Sequence, residues 1–241
     1  MSNPPPDIEI VTHCWNYSRL LLFQLWSVLT HPPASQITMT IAFCPDDERT
    51  SAVVEWFTGK APHCSKTLTV NPIQLPPEKL CRRAIGRNIA AQATLARIVW
   101  FADCDYLFGP GCLDWLATHW PADAILAYPK IVRKCSKEYG DELIADVTAG
   151  RLVRPSLDKF GPRKHGRAIG GIQIVDGDVA REKGYVPNHK RYQKPVDCWK
   201  KTNEDTAYRR SLGTSGTRLE IPEVYRIRHT KYGRKDVGVE L

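Results

Sequence analysis

An α/β fold with a largely parallel sheet covered on both faces is what this 241-residue sequence predicts. Three observations carry the prediction. Short β-prone runs alternate with helical patterns four times before residue 103. The last of those runs, residues 98–102 (IVWFA), is nearly all apolar, as a strand buried on both faces must be. A hydrophobic content of 42% is enough for one sizeable core, so the chain is read as one compact domain.

Residues 1–6 (MSNPPP) can form neither helix nor ladder and read, with Asp7, as a flexible leader. Residues 8–14 are short and β-prone, and Ser18 is placed to cap a helix through residue 29 that Pro32 and Pro33 end. Residues 37–43 (ITMTIAF) have strand length and β-branched content; they stop at Pro45-Asp46-Asp47 and give way to a helix over about 50–57. A third strand is expected at 68–73. Pro76-Pro77-Glu78 then opens a long helix to about residue 96, rich in Ala, Arg and Gln, which feeds the apolar strand. Beyond Tyr128 a stretch rich in Gly, Lys and Arg leads to a strand at 169–175, a helix at 204–212 and strands at 218–221 and 224–228. Two functional halves are expected, 8–128 and 129–241.

Composition narrows the function classes. The eight cysteines, at 14, 44, 64, 81, 104, 112, 135 and 198, include no Cys-x-x-Cys and no Cys/His group at zinc spacing, which points to reduced thiols and a cytoplasmic location. The longest apolar run, residues 20–29, is broken by Gln24 and Ser27 and falls short of the roughly 20 residues that span a bilayer, so no transmembrane segment is expected. No Walker A loop and no Gly-x-Gly-x-x-Gly follows a strand, which counts against a P-loop NTPase or a nicotinamide enzyme. The net charge of +8 is unevenly spread. Residues 151–241 hold 21 Lys+Arg against 11 Asp+Glu, a net of +10, leaving −2 for the rest. That basicity is either a solvated face or a seat for phosphates or a polyanion.

Ligands of open α/β sheets collect beyond the carboxyl ends of the strands. The polar residues there are His13, Asp46, Asp47, Asp103 and Asp105. In an extended segment Asp103 and Asp105, two apart, point the same way and converge on one hard cation, Mg²⁺ or Mn²⁺, which bridges to a diphosphate. Asp176 and Asp178 share the spacing, but the Gly177 between them and the helix that follows read as a turn with its cap. Glu204-Asp205 after Asn203 is, on its own, an acidic first turn behind a cap.

Three blocks together change that reading. GRNIAAQATLARIVWFADCDYLF looks like the core of glycosyltransferase family 2 and its GT-A relatives, with an Arg-Asn on a helix, an Ala-rich turn and a strand ending in an Asp-x-Asp metal motif. AIGGIQIVDGDVAREKGYV resembles their acceptor-side segment, and NEDTAYRRSLG resembles their Glu-Asp motif. The blocks stand in the family's order across residues 84–213. The opening IVTHCWNYSRLLLFQLWSVL matches more loosely and lacks the usual Pro-x-Tyr-Asn form.

The resemblance implies a GT-A, Rossmann-like domain with a mixed, mainly parallel sheet, and inverting transfer from a nucleotide sugar, a UDP-sugar first, with Mn²⁺ or Mg²⁺. It implies Asp103 and Asp105 as metal ligands, joined by His229, with Asp103 also on the donor side. Arg87, Asn88 and His13 join the donor, as does Asp46 or Asp47 unless these only close a strand-end turn. Lys231 and Arg234, with Arg228 and Lys235, neutralise the leaving diphosphate. Asp205 takes the role of general base with Glu204 orienting the acceptor; Gly170, Gly171 and Trp199 belong to the acceptor side. The acceptor is a glycan or a nucleic acid, a hydroxylated base in DNA included. Two competing readings are a sugar nucleotidyltransferase, which requires a Gly-rich basic loop absent after Ile10, and a basic nucleic-acid-binding protein that needs neither metal nor turnover.

Overall fold

A computed structural model describes residues 6–199 and 202–231. The chain runs β1 (Ile8–Cys14), α1 (Ser18–Thr30), β2 (Ile37–Phe43), α2 (Glu48–Cys64), β3 (Leu68–Gln74), α3 (Pro77–Leu80), α4 (Arg83–Ala93), β4 (Ile98–Phe101), β5 (Tyr106–Phe108), α5 (Cys112–His119), β6 (Leu126–Pro129), β7 (Ile131–Lys134) and α6 (Lys137–Thr148). It continues through β8 (Gly161–Lys164), β9 (Gln173–Asp176), α7 (Gly177–Lys183), α8 (Lys190–Gln193), α9 (Glu204–Ser211), β10 (Thr217–Leu219) and β11 (Val224–Arg226).

Seven strands form the main sheet in the order β10-β6-β9-β4-β1-β2-β3. The pairs β1/β2, β2/β3, β1/β4 and β6/β10 are parallel, while β9 runs antiparallel between β4 and β6. A second sheet, β5-β11-β7-β8, stands beside it. From β1 the chain winds outward through β2 and β3, then returns to β1's other side with β4, so the topological switch point lies between β1 and β4. Ile98, Val99, Trp100 and Phe101 are all fully buried, each large apolar side chain contributing roughly 1.5–3 kcal/mol. The outermost strand β3 accommodates Pro72, since an edge strand need not donate on its free side.

Three local departures from the sequence reading shape the cleft. The long helix expected from residue 76 to 96 is two helices, because Arg82 leaves helical geometry (φ −111°, ψ 84°). The break makes Arg83 the first residue of α4, at the sheet's carboxyl edge. Residues 170–172, expected as strand, are a 3₁₀ turn in which Gly170 takes φ +48°, a left-handed conformation that no strand allows. Finally, Pro6 and Asp7, the last two residues of the expected leader, are held by the hydrogen bonds Arg97 N to Pro6 O and Asp7 N to Gln36 O.

The Asp176/Asp178 pair is the turn and cap it resembles, with Asp176 accepting from the N–H groups of Asp178 and Val179 at the start of α7. Asn203 occupies the cap position of α9 without a side-chain cap bond. Of the second sheet, β11 matches the strand expected at 224–228, while β5, β7 and β8 and helices α5 and α6 were not legible.

Candidate functional site

Just beyond the switch point a cleft is lined by His13, Tyr17, Arg83, Asp103, Cys104, Asp105, Gly170, Trp199, Thr202, Asp205, Arg226, His229 and Lys231. Its position follows from the topology. His13 is the last residue but one of the parallel strand β1 and Asp103 follows β4, so both sit at the carboxyl edge. Because β9 is antiparallel to β4, with Gln173 opposite Phe101, the turn that begins β9 arrives at the same edge and sets Gly170 beside Asp103. The Asp103–Asp105 segment is where the chain leaves the main sheet for the second one.

That segment is a turn closed by Tyr106 N to Asp103 O (3.2 Å), not an extended strand. The two carboxylates therefore line one cleft but turn to different partners. Asp103 Oδ1 accepts from Arg83 Nη1 (2.9 Å) and Arg87 Nη2 (3.1 Å). Arg83 also donates through Nε and Nη2 to Glu204 Oε1 (3.0 and 2.7 Å), and Arg87 donates through Nη1 to Tyr185 OH (3.0 Å). Tyr185 OH donates in turn to Gln173 Oε1, and Gln173 Nε2 donates to the carbonyl of Asp205. Arg83 and Arg87 are four apart, so one face of α4 presents both guanidinium groups. Burial pushes the Asp103 carboxyl up, but Arg83 and Arg87 outweigh it and hold it well below the usual carboxylate range; Glu204 is held low in the same way by Arg83.

Asp105 is different. Its Oδ2 accepts from Arg226 Nε (2.9 Å), while its Oδ1 is buried with no partner among the described residues. His229 Nε2 stands 3.9 Å from that Oδ2. His229 Nδ1 lies 2.7 Å from Thr230 O, which assigns the proton to Nδ1 and leaves the Nε2 lone pair facing Asp105. Burial holds this imidazole below its ordinary value, hence neutral at pH 7. Across the cleft, Asp205 Oδ2 accepts from Gly170 N (3.1 Å). Other buried polar atoms of the cleft lining without a partner among the described residues are His13 Nδ1 and Nε2 and Trp199 Nε1. Unmet hydrogen-bonding capacity in one place marks a site built for a ligand.

The remaining candidates separate into those the fold brings here and those it does not. His13 reaches the cleft floor, and Gly86 is obligatory beneath it, since a Cβ there would collide with the imidazole Nε2. Burial, then the charges of Arg87 and Arg83, keep His13 neutral. Trp199 lies on the cleft wall with the Arg83 guanidinium 5.6 Å from its ring centroid. Lys231 lines the mouth; Arg234 and Lys235 lie outside the described residues.

Arg87 is fully buried and anchors Asp103 instead of meeting solvent. Asn88, on the other side of α4, accepts from Tyr185 N (2.9 Å) and holds the Gly184 turn. Glu204 is 1% exposed and spends Oε1 on Arg83, so only Asp205 of that pair faces the cleft. Gly171 is buried, its missing side chain giving room to Asp103 N and the Tyr106 ring. Asp47 caps α2, accepting from Thr50 N and Oγ1 and from Asn16 N, while Asp46 is exposed in the turn before it. Sequence reading missed Arg83 and Arg226. The first was signalled by the i, i+4 arginines; the second had no local signal.

No protein-family model matches the chain, and no curated protein matches it. Solved structures do. S. aureus TarS, residues 1–349, superposes with a TM-score of 0.52 at 14% identity, covering 93% of this chain and 58% of that one. The mannosyltransferase PcManGT from Pyrobaculum calidifontis, in complex with GDP-Man and Mn²⁺, superposes with a TM-score of 0.54 at 14% identity, covering 93% and 57%. The chain thus spans somewhat over half the length of these structures. Among the described residues no helix is long and apolar enough to cross a membrane. The seven-stranded, mainly parallel sheet with its carboxylate cleft at the switch point is the GT-A fold of glycosyltransferases.

Proposed function

We propose that the protein is a metal-dependent glycosyltransferase that moves a sugar from a nucleotide sugar to an acceptor hydroxyl with inversion. The observation that carries this reading is the convergence of Asp103, Asp105, Asp205 and His229 on one cleft in a GT-A fold. Residues 8–128 supply most of the donor side, and residues 129–241 the base and the acceptor side.

The residues present fit a divalent cation. Asp105 offers an unpartnered carboxylate oxygen, Oδ1, and His229 brings a neutral Nε2 lone pair to 3.9 Å from the other oxygen of the same carboxylate. Among the described residues no three His, Cys, Asp or Glu side chains are placed to hold a metal together. Two protein ligands suffice for Mg²⁺ or Mn²⁺, which keep waters and take phosphate oxygens for the rest. Bound there, the ion supplies positive charge to the leaving diphosphate. Asp103, tied to two arginines, positions the turn and faces the donor. In the transfer, the acceptor hydroxyl gives its proton to the Asp205 carboxylate while its oxygen bonds to the anomeric carbon. The bond from that carbon to the diphosphate oxygen breaks, and the diphosphate leaves with the electron pair. The Gly170 N–H holds Oδ2 of Asp205, so Oδ1 is the oxygen left for the proton. Arg226 and Lys231 stand near the departing charge.

UDP is the nucleotide we favour, and GDP, bound as GDP-Man by the mannosyltransferase, is the second to test. Eight free cysteines support a reducing compartment, the cytoplasm. Calorimetry with UDP and GDP, each with and without Mn²⁺, tests the donor half. Metal-dependent binding of one of them is expected, and indifference of both to metal overturns the metal site.

A further inference from the structure

His229, which faces Asp105, is carried by residues 227–231, a strap that lines the cleft with His229 and Lys231. Its backbone is docked step by step. Ile227 N donates to Asp105 O (2.9 Å) and Arg228 N to Cys135 Sγ (3.3 Å). Helix α6 continues the docking: Gly140, in its first turn, lies so near Arg228 that a Cβ there would collide with the Arg228 carbonyl oxygen. Asp141 follows, and both its carboxylate oxygens serve Thr230, Oδ1 accepting from N and Oδ2 from Oγ1, each at 2.7 Å.

The dock reaches the imidazole through one residue. Thr230, clamped by Asp141, accepts at its carbonyl from His229 Nδ1 (2.7 Å), and that bond fixes both the tautomer and the direction of the ring. Tyr17 packs edge-on against the imidazole, ring centroids 5.2 Å apart. Asp141, Thr230, His229 and Asp105 thus form one relay from α6 to the carboxylate of the cleft. Asp141 itself stands outside the cleft lining, in the groove between α1 and α6. The helix does not depend on this clamp for its own start, since Ser136 already caps it by accepting from Tyr139 N.

A metal ligand carried on such a strap counts only in the fraction of molecules in which the strap is seated, and the apparent metal affinity falls with that fraction. With Asp105 and His229 as its protein ligands, an ion in this cleft depends heavily on the seat. We propose that Gly140 and Asp141 are positioning residues of the metal site: they seat residues 227–231 on α6, and the seated strap presents His229 Nε2 to an ion held by Asp105. Strap docking and metal binding are then linked, each favouring the other. Asp141 touches neither the ion nor a substrate and acts through Thr230 and His229. This rests on the metal-dependent transferase reading above.

The test titrates Mn²⁺ into the full chain with UDP or GDP present and reads the half-saturating metal concentration. Pulsed electron paramagnetic resonance of the bound ion reads whether an imidazole nitrogen is coordinated, and a melting curve checks folding. Asp141→Ala should raise the half-saturating concentration about tenfold and weaken the nitrogen signal, as His229→Ala should. Asp141→Asn should stay near the wild type, because its amide oxygen accepts from Thr230 N and its amide N–H donates to Thr230 Oγ1. Thr230→Val, which loses only the hydroxyl bond, should give a smaller rise and serves if Asp141→Ala folds poorly. In the His229→Ala background Asp141→Ala should add little, since both act through one ligand. A wild-type titration in Asp141→Ala overturns the proposal, as does an undiminished effect of that substitution in His229→Ala. An Asp141→Asn variant as weak as Asp141→Ala overturns it too, since charge and not the clamp would then be the cause. A wild type whose nucleotide binding ignores Mn²⁺ sinks the metal site itself, and the proposal with it.

Discussion

The cleft has one side whose charges are matched and one whose valences are left over. On the first, Arg83 and Arg87 join Asp103, Glu204 and Tyr185 into a network that Gln173 ties to α9. On the second, Asp105 keeps a bare oxygen, His229 turns a lone pair inward, and Asp205 has one carboxylate oxygen held by a backbone N–H. Only Cys104 separates Asp103 from Asp105, yet one is part of the scaffold and the other is part of the site. A buried arginine network fixes geometry because breaking it strands a charge; open valences are retained only where a ligand completes them.

The comparison breaks or sharpens under substitution. The largest effect is expected on the open side, where Asp205→Asn should lower transfer by about 10²–10⁴-fold while nucleoside diphosphate affinity stays as it was. Near-normal turnover would remove Asp205 as the base. On the closed side, Arg87→Ala should cost about 3 kcal/mol in urea unfolding, since Asp103 and the Tyr185 hydroxyl lose a partner that is itself fully buried. Arg87→Lys should not restore it, because one ammonium cannot serve both groups as the guanidinium fork does. An unchanged midpoint in Arg87→Ala would show that the network is not structural.

A smaller change is expected from Asp105→Ala or a chelator, about tenfold in nucleoside diphosphate affinity, or about 1.4 kcal/mol, with Asp105→Ala costing less in unfolding than Arg87→Ala because the Arg226 it strands is part-exposed. Should Asp105→Ala destabilise the fold as much as Arg87→Ala does, the distinction between the two sides fails.

The smallest effect concerns Glu9, a buried carboxylate with no arginine, which accepts from Thr40 Oγ1 between β1 and β2. Burial raises its carboxyl above the ordinary value, against the pull of Thr40 and Thr94. A raised carboxyl contributes stability that is complete below the unfolded value and is lost as pH rises through the folded one. Glu9→Gln should therefore melt higher than the wild type at neutral pH, with the gain vanishing as pH falls below the carboxylate range. A gain that persists in acid would show that charge burial is not its cause.

Legibility differed along the chain for physical reasons. Strands β1 to β4 were readable because each is a short apolar or β-branched run between turn residues, and their bounds fell within a residue of expectation. Asp103, Asp105 and Asp205 were readable because each closes or opens a recognisable segment. The resemblance implied ligand contacts for Arg87, Asn88, Glu204 and Asp47, and the structure gives each a protein partner. A side chain's type shows that it can bind an anion or a cation; its burial decides whose. Strands β5, β7 and β8 of the second sheet escaped notice because they are three or four residues long, and β8 is exposed along its whole length, which leaves no hydrophobic period to detect.

By itself the sequence determined the α/β alternation, the apolar central strand and the acidic residues at its end, since all of these are recorded in local order and periodicity. Tertiary structure alone decided which carboxylate is matched and which is open. Arg83 meets Glu204, and Arg226 meets Asp105, across 121 residues of chain in each case. Those meetings depend on an antiparallel strand inserted beside β4 and on a second sheet closing over the turn after it, and no local pattern of residues encodes the order of strands in a sheet.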